Sequence, residues 1–215
     1  MNLLALAGLA GTALMIGFTG AMSPGPFLTV TITETCTRGR RSALALLGGH
    51  ALLEAAILVG FAFGLQRLLR LPAVSMVIAL AGGAFLLWMG ADLLRGVLTQ
   101  RISLSGAETS APLRFGPLVE GAFVSGSNPY WWLWWATIGA ALAVRGLALG
   151  PLGVLAFYIG HQLADVTWYG AIILAVHSGR GLLSDRVYRI VLGVCATFLA
   201  FLGASFVLAG VRGLL

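Results

Sequence analysis

The chain has 215 residues, of which 59% are hydrophobic and 9% charged, against roughly 25% charged in an ordinary soluble domain. A soluble fold of this length buries only part of its surface and cannot hide so much apolar material, so the solvent must be lipid. The net charge of +6 comes from 13 arginines with no lysine; they fall between apolar blocks, as in membrane-protein loops, and form no basic face for nucleic acid.

The N-terminus, MNLLALAGLAGTALMIGFTGAM, lacks a positive n-region, and its apolar run exceeds a usual signal core. It reads as a retained first span. A helix crosses the hydrocarbon core in about 20 residues. Stretches of that length occur at 3–22, 43–65, 73–94, 117–144, 150–176 and 187–211. The only soluble-looking segment, around QRISLSGAETSAP, divides the chain into a first half (1–96), a linker (97–115) and a second half (116–215). Loops 1–2, 3–4 and 5–6 carry nine arginines and the opposite side four. The positive-inside rule then makes the linker cytoplasmic and turns both termini outward. After the first span, PFLTVTITETC stays mostly apolar, either as a continuation of a broken helix or as a short re-entrant stretch. Cys36 and Cys195 lie far apart without a CxxC or histidine partner, so neither a disulfide framework nor a zinc motif is readable.

The halves repeat. Span 1 is interrupted at Ser23-Pro24-Gly25-Pro26 and span 4 at Ser127-Asn128-Pro129, with Pro24 and Pro129 105 positions apart. Span 2 carries Gly49-His50 and then Glu54; span 5 carries Gly160-His161 and then Asp165, the histidines 111 positions apart. Three spans per half is an odd number, so the second half must run inverted relative to the first. This predicts an all-α polytopic membrane protein of six transmembrane helices in two inverted three-helix repeats, the architecture of many secondary transporters, whose sites lie where broken helices meet. Proline frees backbone groups, and such backbone at membrane depth survives only where it lines a cavity or packs on protein. The plainer reading is that prolines merely kink membrane helices.

Residues i and i+4 share a helix face, so His50 presents with Glu54 and His161 with Asp165. Carboxylates at membrane depth face a bundle interior or a water-filled path. Both pairs are candidate proton carriers or cation ligands, or else structural hydrogen bonds. The candidate substrate or ion site therefore comprises Ser23, Pro24, Gly25, Pro26, His50, Glu54, Asn128, Pro129, Trp132, His161 and Asp165. Trp132 stands for the run Trp131, Trp132, Trp134 and Trp135, which reads equally as an interfacial belt or as a cavity wall. Glu34 is either a vestibule group or the partner of Arg38.

The motifs SPGPF (23–27), TRGRR (37–41), GGH (48–50), FGL (63–65), SNPYWW (127–132), GHQLADVTWY (160–169) and LLSDRVYR (182–189) resemble those of the lysine exporter (LysE/RhtB) family over nearly the whole chain. The resemblance implies a multi-pass exporter of amino acids or related small metabolites in a prokaryotic cytoplasmic membrane, driven by protons and needing no cofactor. Its partners would be a small-molecule substrate, protons and lipid, with no nucleic acid; a homodimer is left open. The His–acid pairs depart from the better-known members. A divalent-cation exporter using His50, Glu54, His161 and Asp165 is the alternative, since imidazole and carboxylate suit zinc or manganese. A membrane enzyme or thiol–disulfide carrier is a minor alternative that the cysteine placement disfavours.

Overall fold

The computed structural model describes residues 3–23, 25–69, 71–100, 115–179 and 184–212. Pro24 and most of the linker therefore lie outside the described residues. Among the described residues the chain is helical throughout, with no strand. The helices in chain order are α1 (Leu3–Ala21), α2 (Pro26–Arg38), α3 (Arg40–Ala62), α4 (Leu65–Leu69), α5 (Pro72–Leu98), α6 (Gly116–Gly126), α7 (Pro129–Trp134), α8 (Ala140–Ala148), α9 (Pro151–Gly179) and α10 (Asp185–Arg212). A π-helical turn, Trp135–Gly139, joins α7 to α8.

Four of these, α1, α3, α5 and α10, are long and apolar enough to cross a membrane. The two remaining expected spans differ from that pattern for physical reasons. At 29 residues α9 is about 44 Å long at 1.5 Å per residue, but it carries His161, Gln162 and Asp165 mid-length. The stretch 117–144, expected as one span, is divided among α6, α7, the π turn and α8.

The burial pattern is that of a protein in lipid. Leu4, Phe63, Trp88, Val194 and Phe201 are exposed, whereas His50, Glu54, Ser125, His161 and Asp165 are buried. A soluble protein would reverse this.

Helix starts follow the punctuation of the sequence. Proline opens α2, α5, α7 and α9, where its missing N–H would lack an intrahelical partner anyway. Asn128 caps α7, its Oδ1 accepting from the Tyr130 N–H at 3.0 Å. The turn between α2 and α3 needs Gly39, whose φ of 84° is a left-handed value, and its N–H donates to the Glu34 carbonyl at 3.1 Å.

The packing is reciprocal between the halves. The main contacts pair α1 with α9, α6 with α3, and α5 with α10. Gly160 of α9 abuts Ala10, and Gly17 of α1 abuts Ala164, so these helices run the same way. Phe27 meets Tyr169 further along, and Cys36 shares a cluster with Val176 and Tyr188, so α2 continues beside the second part of α9. On the other side Gly121 of α6 abuts Leu46, Gly49 abuts Leu118, and Gly126 meets Leu53. Helices α5 and α10 cross in opposite directions, with Gly83 on Gly203, Gly90 on Ala196 and Gly210 on Leu80. Small residues at such contacts let backbones approach, the usual device of membrane helix pairs.

A side chain at Gly121 would collide with the Leu46 carbonyl, whereas nothing lies within 4 Å of a Cβ at Gly8. Gly121→Val should therefore lower stability in detergent by about 1–3 kcal/mol or more, with Gly8→Ala near neutral; thermal unfolding of the purified protein measures both.

Candidate functional site

The described site is assembled around one carboxylate. Glu54 is 1% exposed and sits one helical turn beyond His50 on α3. Its Oε1 accepts from the indole Nε1 of Trp131 and of Trp135, each at 3.2 Å. His161 Nε2 lies 3.2 Å from the same oxygen, and so does His50 Nε2. The Gln162 side-chain amide donates to Oε2 at 2.6 Å. Five side chains from α3, α7, the π turn and α9 thus converge on Glu54.

The hydrogens can be placed by what each atom is able to do. Ser125 Oγ lies 2.7 Å from the Gly121 carbonyl and 2.7 Å from His50 Nδ1. A carbonyl only accepts, so the hydroxyl proton goes to Gly121 and His50 Nδ1–H donates to Oγ. That leaves His50 Nε2 facing Glu54. His161 Nδ1 is buried without a partner, so its hydrogen sits on Nε2, toward Glu54. The ring stacks on Trp134 with centroids 4.7 Å apart.

Asp165 is one turn beyond His161 on α9 and 2% exposed. Its Oδ2 lies 3.5 Å from His161 Nε2 and 4.0 Å from His50 Nε2, without accepting a hydrogen bond. These four groups border a cavity of about 40 Å³, room for about three waters at roughly 10–15 Å³ each. Ser23, Gly25 and Asn128 line it too, with Ser125, the rings of Phe27, Tyr130, Trp131, Trp134, Trp135 and Tyr169, and the backbone at Gly20 and Ala21. A Cβ on Gly25 would lie 3.4 Å from Asn128 Nδ2, so the α1–α2 and α6–α7 junctions meet.

A family model described as LysE type translocator matches residues 18–210. The chain belongs to that family. Its transport class follows, and it stands among membrane translocators of small molecules rather than among enzymes. A similar relative is the chemotactic transduction protein ChpE of Pseudomonas aeruginosa, 31% identical over 159 residues, which cover 73% of this chain and 76% of that protein. No solved structure matches.

In this translocator seven of the expected site residues reach one cavity: Ser23, Gly25, His50, Glu54, Asn128, His161 and Asp165. Pro24 lies outside the described residues. Pro26 and Pro129 open α2 and α7 without lining the cavity, Pro129 packing instead against Gly82. Trp132 points elsewhere: its Nε1 donates to the Gly126 carbonyl at 2.6 Å, and its ring borders a separate small space with Ser75 and Phe206. The tryptophans at the cavity are Trp131, Trp134 and Trp135. Trp131 and Trp135 stand four apart, the spacing already used for the His–acid pairs, and that signal would have selected them. Ser125 and Gln162 carried no comparable signal. Glu34 pairs with Arg38 at 3.2 Å and accepts from Ser42, closing the α2–α3 turn rather than lining the cavity.

The donor set fits a metal poorly. His50, Glu54 and Asp165 offer ligand atoms within 4.8 Å of one another, but Glu54 Oε1 already accepts two indole N–H groups, which have no other role than to donate. A cation bonded at about 2.0–2.2 Å to that oxygen would displace them.

Ser125→Ala should leave the His50 Nδ1–H without an acceptor and destabilise the protein by about 1–3 kcal/mol. Thr197→Ala, which removes an exposed hydroxyl bonded only to its own helix, should change little; thermal unfolding compares the two.

Proposed function

We propose that this translocator is a secondary active exporter of amino acids or related small metabolites, proton-coupled, acting across the cytoplasmic membrane of a prokaryote. The observation carrying this is the meeting of both helix junctions and both His–acid pairs at one buried cavity. That is where inverted-repeat transporters place their sites. Its small volume suits an occluded state.

The proposed architecture is six spans: α1 with α2; α3; α5; α6 through α8; α9; and α10. Residues 1–96 form one half, 116–215 the other, and 97–115 a cytoplasmic linker, with both termini outside. The reciprocal packing supports it. The glycine before each histidine, Gly49 or Gly160, receives a backbone carbonyl from the broken span of the other half, at Leu118 or Ala10. Rocking one half against the other would therefore move each histidine relative to its partners.

Coupling follows from the hydrogen-bond geometry around Glu54. A proton on His50 Nε2 pairs with Oε1; its removal turns a lone pair toward a carboxylate oxygen already surrounded by N–H donors. The site would then favour a different arrangement of α3 against α9. Proton arrival and departure at the His50–Glu54 line would thus bias which side the cavity faces, the population shift that a coupled carrier requires.

Purified protein in liposomes should move amino acids in a manner dependent on an imposed pH gradient. Glu54→Gln, which replaces the shared acceptor by an amide, should abolish the flux. Undiminished flux in that variant, or flux indifferent to the gradient, would remove the proton from the mechanism.

A further inference from the structure

We infer that Asp165, and not Glu54, is the carboxylate that receives a protonated amine of the substrate, while Glu54 is a positioning residue. This rests on the reading of the cavity as the transport site. The His–acid pairs look equivalent in sequence, but their surroundings differ. Glu54 is filled: five side chains already address its two oxygens. An incoming ammonium would have to evict one of them. Asp165 is equally buried and lines the same cavity; its Oδ2 accepts no hydrogen bond, and its neighbours are the Glu54 carboxyl and His161 Nε2 at 3.5 Å. A carboxylate oxygen without a donor at membrane depth is costly; a proton or a cavity water can relieve it, but an ammonium group brings both N–H donors and the opposite charge.

The walls favour a cation with a small apolar stem. Among the described residues the lining contains no arginine, and the chain has no lysine, so a substrate carboxylate would meet two carboxylates and no permanent cation. Phe27, Tyr130, Trp134 and Tyr169 line the cavity with aromatic rings, Phe27 and Tyr169 meeting edge-to-face at 4.8 Å. Rings within about 6 Å attract an ammonium group. A cavity of about 40 Å³ takes the amine end of a molecule and little more.

The test uses the cavity tryptophans as reporters. Purified full-length protein is titrated with methylammonium chloride, and in parallel with sodium acetate, at ionic strength held constant with sodium chloride. Methylammonium should change tryptophan emission saturably and acetate should not. Asp165→Asn should raise the half-saturating concentration about tenfold or more; Asp165→Ser serves if the asparagine variant does not fold. Glu54→Gln should shift the ligand-free spectrum itself, because the Trp131 and Trp135 indoles lose their anionic acceptor, and Glu54→Asp should restore part of it. Wild-type half-saturation in the Asp165 variants, an equal response to acetate, or no response to methylammonium would overturn the assignment. Binding needs no pH gradient, so amine binding through Asp165 without gradient-driven flux would sink the exporter reading alone. Gradient-driven flux with normal methylammonium binding in Asp165 variants would sink this inference alone.

Discussion

The buried carboxylate of Glu54 organises everything around it. Out of reach of bulk water, a charge at membrane depth must find most of its solvation within the protein. Here that solvation comes from two indoles, two imidazoles and an amide, contributed by both halves of the chain. The requirement fixes the rotation of α3 and α9 about their axes and the facing of Trp131 and Trp135. The π turn that follows is part of the same solution, since Gly139 there packs directly on the Trp135 ring. Such local rewindings recur at functional places in helices.

Close backbone contact makes this convergence geometrically attainable. Gly49 and Gly160 let a foreign carbonyl approach just before each histidine, so the polar groups that follow meet across a narrow gap. Larger residues would spread the helices and strand the polar groups without partners. The α5–α10 pair uses the same device at Gly83, Gly90, Gly203 and Gly210, but carries apolar side chains such as Leu86, Leu199 and Phe206 between its helices. The polar cavity is lined instead from α1, α2, α3, α6, α7, the π turn and α9.

Much of this was legible in the sequence, and the reasons are specific. His50 with Glu54, and His161 with Asp165, were visible because four-residue spacing and membrane depth together force polar groups onto one inward face. The helix junctions were visible because Pro26 and Asn128-Pro129 cannot continue a helix. Trp132 was a wrong choice of face: one residue along a helix turns about 100°, which carries it from the Glu54 side to the Gly126 carbonyl. The π turn left no mark, since Trp135–Gly139 has no residue that demands it. The unlike surroundings of Glu54 and Asp165 were invisible for a deeper reason. Both acids follow a histidine at the same spacing, and only the tertiary arrival of α7, the π turn and α9 at Glu54 gives them unlike surroundings.

The central claim, that Glu54 ties the two halves together, is open to one direct measurement. Nitrogen-15 resonances of the ring-labelled histidines report the hydrogen-bond state of each imidazole nitrogen. Replacing Glu54 by glutamine should move the Nε2 signals of both His50 and His161, although His161 lies 107 positions away in sequence. A change confined to His50, its neighbour one turn away on α3, would contradict the account.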